Sequence, residues 1–160
     1  MSIDESYNFR RVDERLTTSG IVNVEQLNEL RDEGYDAVIN LKPDIEAEIG
    51  ADEGAIVRDQ GIDYAHIPVD FDAPTHADFE AFAAAMDAHA GEQVHVHCAA
   101  NYRVTAFYSI YALERGLWTE DEADRFVRDV WEPREFPAWD AFIADEQARI
   151  RGSGPATGSR

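Results

Sequence analysis

The residues best suited to chemistry lie in one stretch, His97-Cys98-Ala99-Ala100-Asn101-Tyr102-Arg103-Val104-Thr105. Cys98 is the only cysteine of the chain. A short β-branched run, Val94-His95-Val96, precedes it, and a helical pattern from Ala106 to Leu113 follows. The cysteine is therefore expected at the end of a strand, on a tight loop that opens into a helix. There backbone N–H groups converge on one spot and the helix dipole adds partial positive charge. Such a place favours the thiolate, the nucleophilic form of the side chain. A thiolate beneath an anion hole of phosphate size is set to attack a phosphoester.

The elements around this stretch predict an α/β domain. Asn23 with Gln26 forms a capping box for a helix that Gly34 stops. Residues 36–41 and 63–68 read as buried strands, with a loop over 42–50 and a helix over 51–60 between them. Residues 9–19 hold one or two short strands. Thr75, with Asp78 in the first turn, starts a helix whose apolar stripe is Phe79, Phe82, Ala83 and Met86. Thr119 with Glu122 caps another helix, and residues 136–150 form the last. Strands alternating with helices give a compact single domain with a short, mostly parallel sheet flanked by helices. The domain is expected over 9–150, with flexible termini at 1–8 and 151–160. Ligands of such sheets gather beyond the carboxyl ends of the strands. The Cys98 loop and the loop carrying Asp70 and Asp72 both lie at that end, so they can share a crevice.

Composition narrows the function. The 160 residues carry 33 Asp and Glu against 14 Lys and Arg, a net charge of −19, and Lys42 is the only lysine. This balance resembles proteins of salt-loving archaea, in which dense surface carboxylates hold water and counter-ions and salt screens their repulsion. It argues against a nucleic-acid partner held through phosphates. A lone cysteine cannot form an internal disulfide, which fits a reducing cytoplasm. No apolar window is long enough for a membrane span and the acidic N-terminus lacks a signal core, so a cytoplasmic protein without a membrane partner is expected. The histidines offer no metal-ligand spacing: His95 and His97 alternate along a strand without a third ligand, and His66, His76 and His89 stand apart.

His97-Cys98 after an apolar strand, with Arg103 and Thr105 at the helix start, resembles the Cys-based protein tyrosine and dual-specificity phosphatases, whose signature is His-Cys, five residues, Arg, then Ser or Thr. Thr18-Ser19-Gly20, Val38-Ile39-Asn40-Leu41, Ile67-Pro68-Val69-Asp70, Trp131-Glu132-Pro133 and Trp139-Asp140-Ala141-Phe142-Ile143 extend the resemblance to the bacterial and archaeal dual-specificity-like branch. The resemblance implies Cys98 as nucleophile and Arg103 as phosphate fork. It implies Asp70 as general acid, with Asp72 as the alternative, and Thr105 as an aid to thiolate release. His97 would orient the loop. The N–H groups of Ala99, Ala100, Asn101, Tyr102, Arg103 and Val104 would form the phosphate cradle. It implies hydrolysis of a phosphate monoester, on a phosphoprotein or a small phosphorylated metabolite, through a phosphocysteine and without metal or organic cofactor.

The spacing departs from that signature, because four residues rather than five separate Cys98 from Arg103. In a gapless alignment Asn101 replaces the loop glycine, Thr105 keeps the Ser/Thr position, and Val104 falls where the arginine belongs. With a loop one residue shorter, Arg103 faces the anion and Thr105 is displaced. The four-residue spacing itself resembles the rhodanese-type sulfurtransferases, which carry sulfur as a persulfide. A relative that binds phosphate without turnover is the remaining alternative.

Overall fold

The computed structural model describes residues 2–158. Five strands form one sheet in the order β1-β2-β5-β3-β4: β1 (Arg10–Arg11), β2 (Leu16–Ser19), β3 (Ala37–Asn40), β4 (Asp63–His66) and β5 (Val94–His97). Only β1 runs antiparallel, on β2; β2, β5, β3 and β4 are parallel. The helices are α1 (Val24–Asn28), α2 (Ile45–Ile49), α3 (Glu53–Asp59), α4 (His76–Ala88), α5 (Tyr102–Glu114), α6 (Glu120–Arg128) and α7 (Pro137–Gly158). The α/β architecture expected from the sequence is the one observed.

Period-2 alternation along β5 decides what each face of the sheet meets. Val94, Val96 and Cys98 belong to the larger core, with Phe79 and Phe82 of α4, Phe107 of α5 and Trp139 of α7. Val38 of β3 points the other way, into a smaller core with Leu27, Leu30, Val57 and Ile62. The capping residues read from sequence make their bonds. Asn23 with Gln26, Thr75 with Asp78 and Thr119 with Glu122 are reciprocal capping boxes. Each satisfies two helix-start N–H groups that would otherwise lack partners.

Three segments differ from expectation. Residues 42–50, read as a loop, contain the short helix α2, with Ile45 buried. The N-terminal residues, expected to be loose, make a 3-10 turn over Ile3–Glu5 that buries Ile3 in the smaller core. One well-placed apolar side chain anchors an otherwise polar segment, a signal that composition does not carry. Helix α7 continues beyond residue 150 through Gly158, while residues 159–160 of the expected loose tail lie outside the described residues. No helix among the described residues is long and apolar enough to cross a membrane.

The register carries this architecture to the site. Ser19 of β2 and Asn40 of β3 both lie opposite His97, and His66 of β4 lies opposite Asn40. Four parallel strands thus end together, and Cys98 leaves the central one between Gly20 and Leu41.

Candidate active site

Cys98 is 1% exposed and forms the floor of a cavity of about 190 Å³. Ala99, Ala100, Tyr102 and Arg103 line it from the loop and α5, and Phe71 and Phe136 line it from across. Larger hollows exist, including one of about 500 Å³ between the N-terminal turn and α1, but its lining carries neither thiol nor cation. The small cavity is the candidate site because the thiol, the helix start and an arginine meet in it.

The loop backbone is bonded on its outer side. The carbonyl of Ala99 accepts from Ile21 N–H at 2.8 Å, and the carbonyl of Ala100 from Asn8 Nδ2 at 3.0 Å. Asn101 sits at φ 69°, a left-handed conformation that asparagine tolerates. Its carbonyl accepts from Thr105 N–H and Thr105 Oγ1. By contrast, the N–H groups of residues 99–104 have no hydrogen-bond acceptor among the described residues. Successive N–H groups left free at a turn into a helix form an anion-binding nest.

The two alignments of the loop are separated by burial. Val104, which the gapless alignment puts at the arginine position, is 0% exposed and packs in the larger core. Arg103 lines the cavity, its Cζ 5.3 Å from the centre of the Phe71 ring, and its Nε is buried without a partner. A buried guanidinium N–H without an acceptor is costly unless an anion completes it. Of the two residues, Arg103 is the one that lines the cavity.

The hydroxyl of Thr105, the candidate aid to thiolate release, has three partners among the described residues. It donates to the carbonyls of Asn101 and Tyr102, at 2.8 and 3.1 Å, and accepts the indole N–H of Trp131 at 2.9 Å. Shortening the loop by one residue rotates this position by about 100° around the helix. Thr105→Val is expected to leave the Trp131 N–H unpaired in the core and to cost about 1–3 kcal/mol in chemical denaturation. Phosphate affinity should remain near wild type.

The acid-loop candidates sit on an exposed turn. Asp70 accepts the N–H of Asp72 at 2.9 Å, and its carbonyl accepts Ala73 N–H at 3.1 Å. Neither aspartate lines the cavity; Phe71 between them does. The turn is held by Val69 N–H to the Leu41 carbonyl and by the Trp139 indole N–H to the Phe71 carbonyl, at 3.0 and 2.7 Å. Behind the cavity, Tyr102 stacks on Trp131 with centroids 4.7 Å apart.

His97 points to the opposite face of the sheet from Cys98. Its Nε2 lies 2.6 Å from Glu53 Oε2, and both side chains are fully buried. Its carbonyl accepts Leu41 N–H, which ties the strand end to β3. His95, two residues back, is bonded by Thr17 and Ser19 hydroxyls at 2.8 Å each. Burial and the neighbouring His97 keep His95 well below the usual histidine range, so it stays neutral at pH 7. Burial, with the Glu53 carboxylate second, pushes the Tyr64 phenol far above its usual range. Sequence reasoning missed Asn8, Glu53 and Phe71, and took Gly20 only as part of the Thr18-Ser19-Gly20 segment. A Cβ there would lie 2.6 Å from the Ala99 carbonyl oxygen and 2.9 Å from the Ala100 Cα.

Residues 8–114 match the family model described as "Beta-lactamase hydrolase-like protein, phosphatase-like domain". The chain belongs to this family. The chain is similar to the beta-lactamase hydrolase-like protein of Xylella fastidiosa, 34% identical over 116 residues, which are 71% of this chain and 27% of that protein. This chain therefore spans about a quarter of the length of that relative. Among solved structures, a DUF442 protein of Shewanella putrefaciens CN-32 is 38% identical, with a TM-score of 0.79 over 90% of this chain and 91% of that one. TpbA of P. aeruginosa shares the fold, with a TM-score of 0.71 at 17% identity over 91% of this chain and 88% of that one. The resemblance to Cys-based phosphatases read from His97-Cys98 thus agrees with both family and fold, and the chain is a phosphatase-like domain.

Proposed function

We propose that the domain hydrolyses phosphate monoesters through a phosphocysteine on Cys98. The observation that carries this reading is the ring of N–H groups of residues 99–104, without acceptors among the described residues, beside the unpartnered Nε of Arg103. Such donors match the oxygens of a phosphoryl group and strengthen as charge builds on them in the transition state. The Cys98 thiolate attacks phosphorus, forming the S–P bond while the P–O bond to the leaving group breaks. Asp70, with Asp72 as its alternative, gives its proton to the leaving oxygen. Water then attacks the phosphocysteine with the same carboxylate accepting its proton, which releases phosphate and the thiolate. The aromatic and small apolar lining is compatible with a phosphoprotein side chain or a small phosphorylated metabolite. The acidic surface suits a salt-rich cytoplasm, so assays belong in concentrated salt.

The expected result is release of phosphate from p-nitrophenyl phosphate in concentrated potassium chloride, inhibited by vanadate. Vanadate binding without turnover would instead identify a phosphate-binding relative. Arg103→Lys keeps the charge but loses the planar fork, and should lower kcat/KM by about 100-fold. The family match, to a phosphatase-like domain, does not favour the sulfurtransferase that the four-residue spacing of Cys98 and Arg103 suggested. That reading predicts thiocyanate from thiosulfate and cyanide, and the phosphatase reading predicts none.

A further inference from the structure

The geometry points to Asn8 as a positioning residue that aims the anion cradle, an assignment that rests on the anion-site reading of the Cys98 loop. In a planar trans peptide the C=O and the following N–H point in opposite directions. Whatever holds a loop carbonyl on the outside therefore turns the next N–H inward. The Ala99 carbonyl is held by the backbone of Ile21, and the Asn101 carbonyl by Thr105 of its own helix. The Ala100 carbonyl, which sets the direction of the Asn101 N–H, is held by the side chain of Asn8.

Asn8 is itself fixed for this task. Its carbonyl accepts from Asn101 Nδ2 at 2.8 Å, so Asn8 donates to one loop residue, Ala100, and accepts from the next, Asn101, 93 residues away. The preceding carbonyl, of Tyr7, accepts Gly20 N–H at 2.7 Å. Asn8 lies at φ 53°, a conformation open to glycine and asparagine but strained for most residues. Asparagine alone among residues that settle there readily also brings an N–H donor to the Ala100 carbonyl. An aspartate would keep the shape and turn an acceptor on that carbonyl. The N-terminal segment thus closes the cradle from outside without touching the anion.

The test uses the full chain and its single cysteine. Alkylation of Cys98 by iodoacetamide is followed with increasing inorganic phosphate, and the phosphate concentration that halves the rate is read. Asn8→Gly keeps the backbone conformation and removes the side-chain bond, and should raise that concentration about tenfold, the effect of losing one net hydrogen bond. Asn8→Asp should raise it further. Thr18→Val serves as the structural comparison. It removes the other partner of Asn101 Nδ2, at 3.0 Å, while leaving the Ala100 carbonyl held, and should stay within about twofold of wild type. An Asn8→Gly midpoint equal to wild type, or a Thr18→Val shift as large as that of Asn8→Gly, would overturn the positioning role. Failure of phosphate to protect the wild-type cysteine would instead overturn the anion site itself, and with it the role of Asn8.

Discussion

Cys98→Ser is expected to abolish phosphate release from p-nitrophenyl phosphate, by about 10⁴-fold or more, while the protein melts as wild type does. The size of the effect follows from the role. Cradle and arginine can bind the phosphoryl group without Cys98, but no bond to phosphorus forms without a nucleophile at the centre of the ring. A serine hydroxyl fits the same volume and stays protonated in the attack step, when Asp70 holds its own proton for the leaving oxygen and His97 is bonded to Glu53. Phosphate or vanadate binding should persist in Cys98→Ser because the donors belong to the backbone of residues 99–104 and to Arg103. Residual turnover near wild type, measured with freshly purified variant, would remove Cys98 from the chemistry.

Glu53→Ala carries the largest expected loss of stability. Glu53 opens α3, and its carboxylate meets His97 at 2.6 Å with neither side chain exposed. Removing one member of a buried, hydrogen-bonded pair strands the other, at a cost of about 3–5 kcal/mol. For a chain of this size that lowers the thermal midpoint by roughly 6–20 °C. Glu53→Gln retains an oxygen able to accept from His97, so its cost should be smaller, about 1–2 kcal/mol. Calorimetry of the two variants in the same salt buffer checks the order. A Glu53→Ala midpoint within a degree of wild type would mean that the pair is not a support of the strand end. The consequence for activity runs through one bond. His97 precedes Cys98 and its carbonyl anchors Leu41, so loosening His97 loosens the floor of the cavity.

The sequence carried the local part of this site well. The strand, the loop and the helix that frame Cys98 are contiguous, and their signals are local: β-branched residues, an asparagine that takes positive φ, and a helical apolar pattern. Capping boxes at Asn23 and Thr119, and the helix start at Thr75, were legible for the same reason, since each is a four-residue motif. The register of Arg103 was not legible. Spacing left Val104 and Arg103 both available, and only burial of Val104 in the larger core separates them. The bonding of Thr105 was not legible either, since its hydroxyl accepts from Trp131, 26 residues on.

Partners brought from far along the chain had no local signature. Glu53 and His97 are 44 residues apart, and Asn8 and Ala100 are 92 apart. Within an acidic chain one more glutamate looks like one more solvated surface group, yet Glu53 is among the most buried residues. Phe71 was hidden for a different reason. The aspartates on either side of it drew the functional reading, while its ring faces the cavity beneath the Arg103 guanidinium. An aromatic ring there both shapes the cavity and holds the guanidinium by cation–π attraction.

The most direct measurement of the central claim is mass spectrometry of the protein quenched in acid during turnover of an aryl phosphate. A phosphoryl group is expected on the peptide that contains Cys98, formed within the first turnovers and absent from Cys98→Ser. Steady phosphate release with no adduct on Cys98 at any quench time, under conditions where a phosphocysteine standard survives, would contradict the claim.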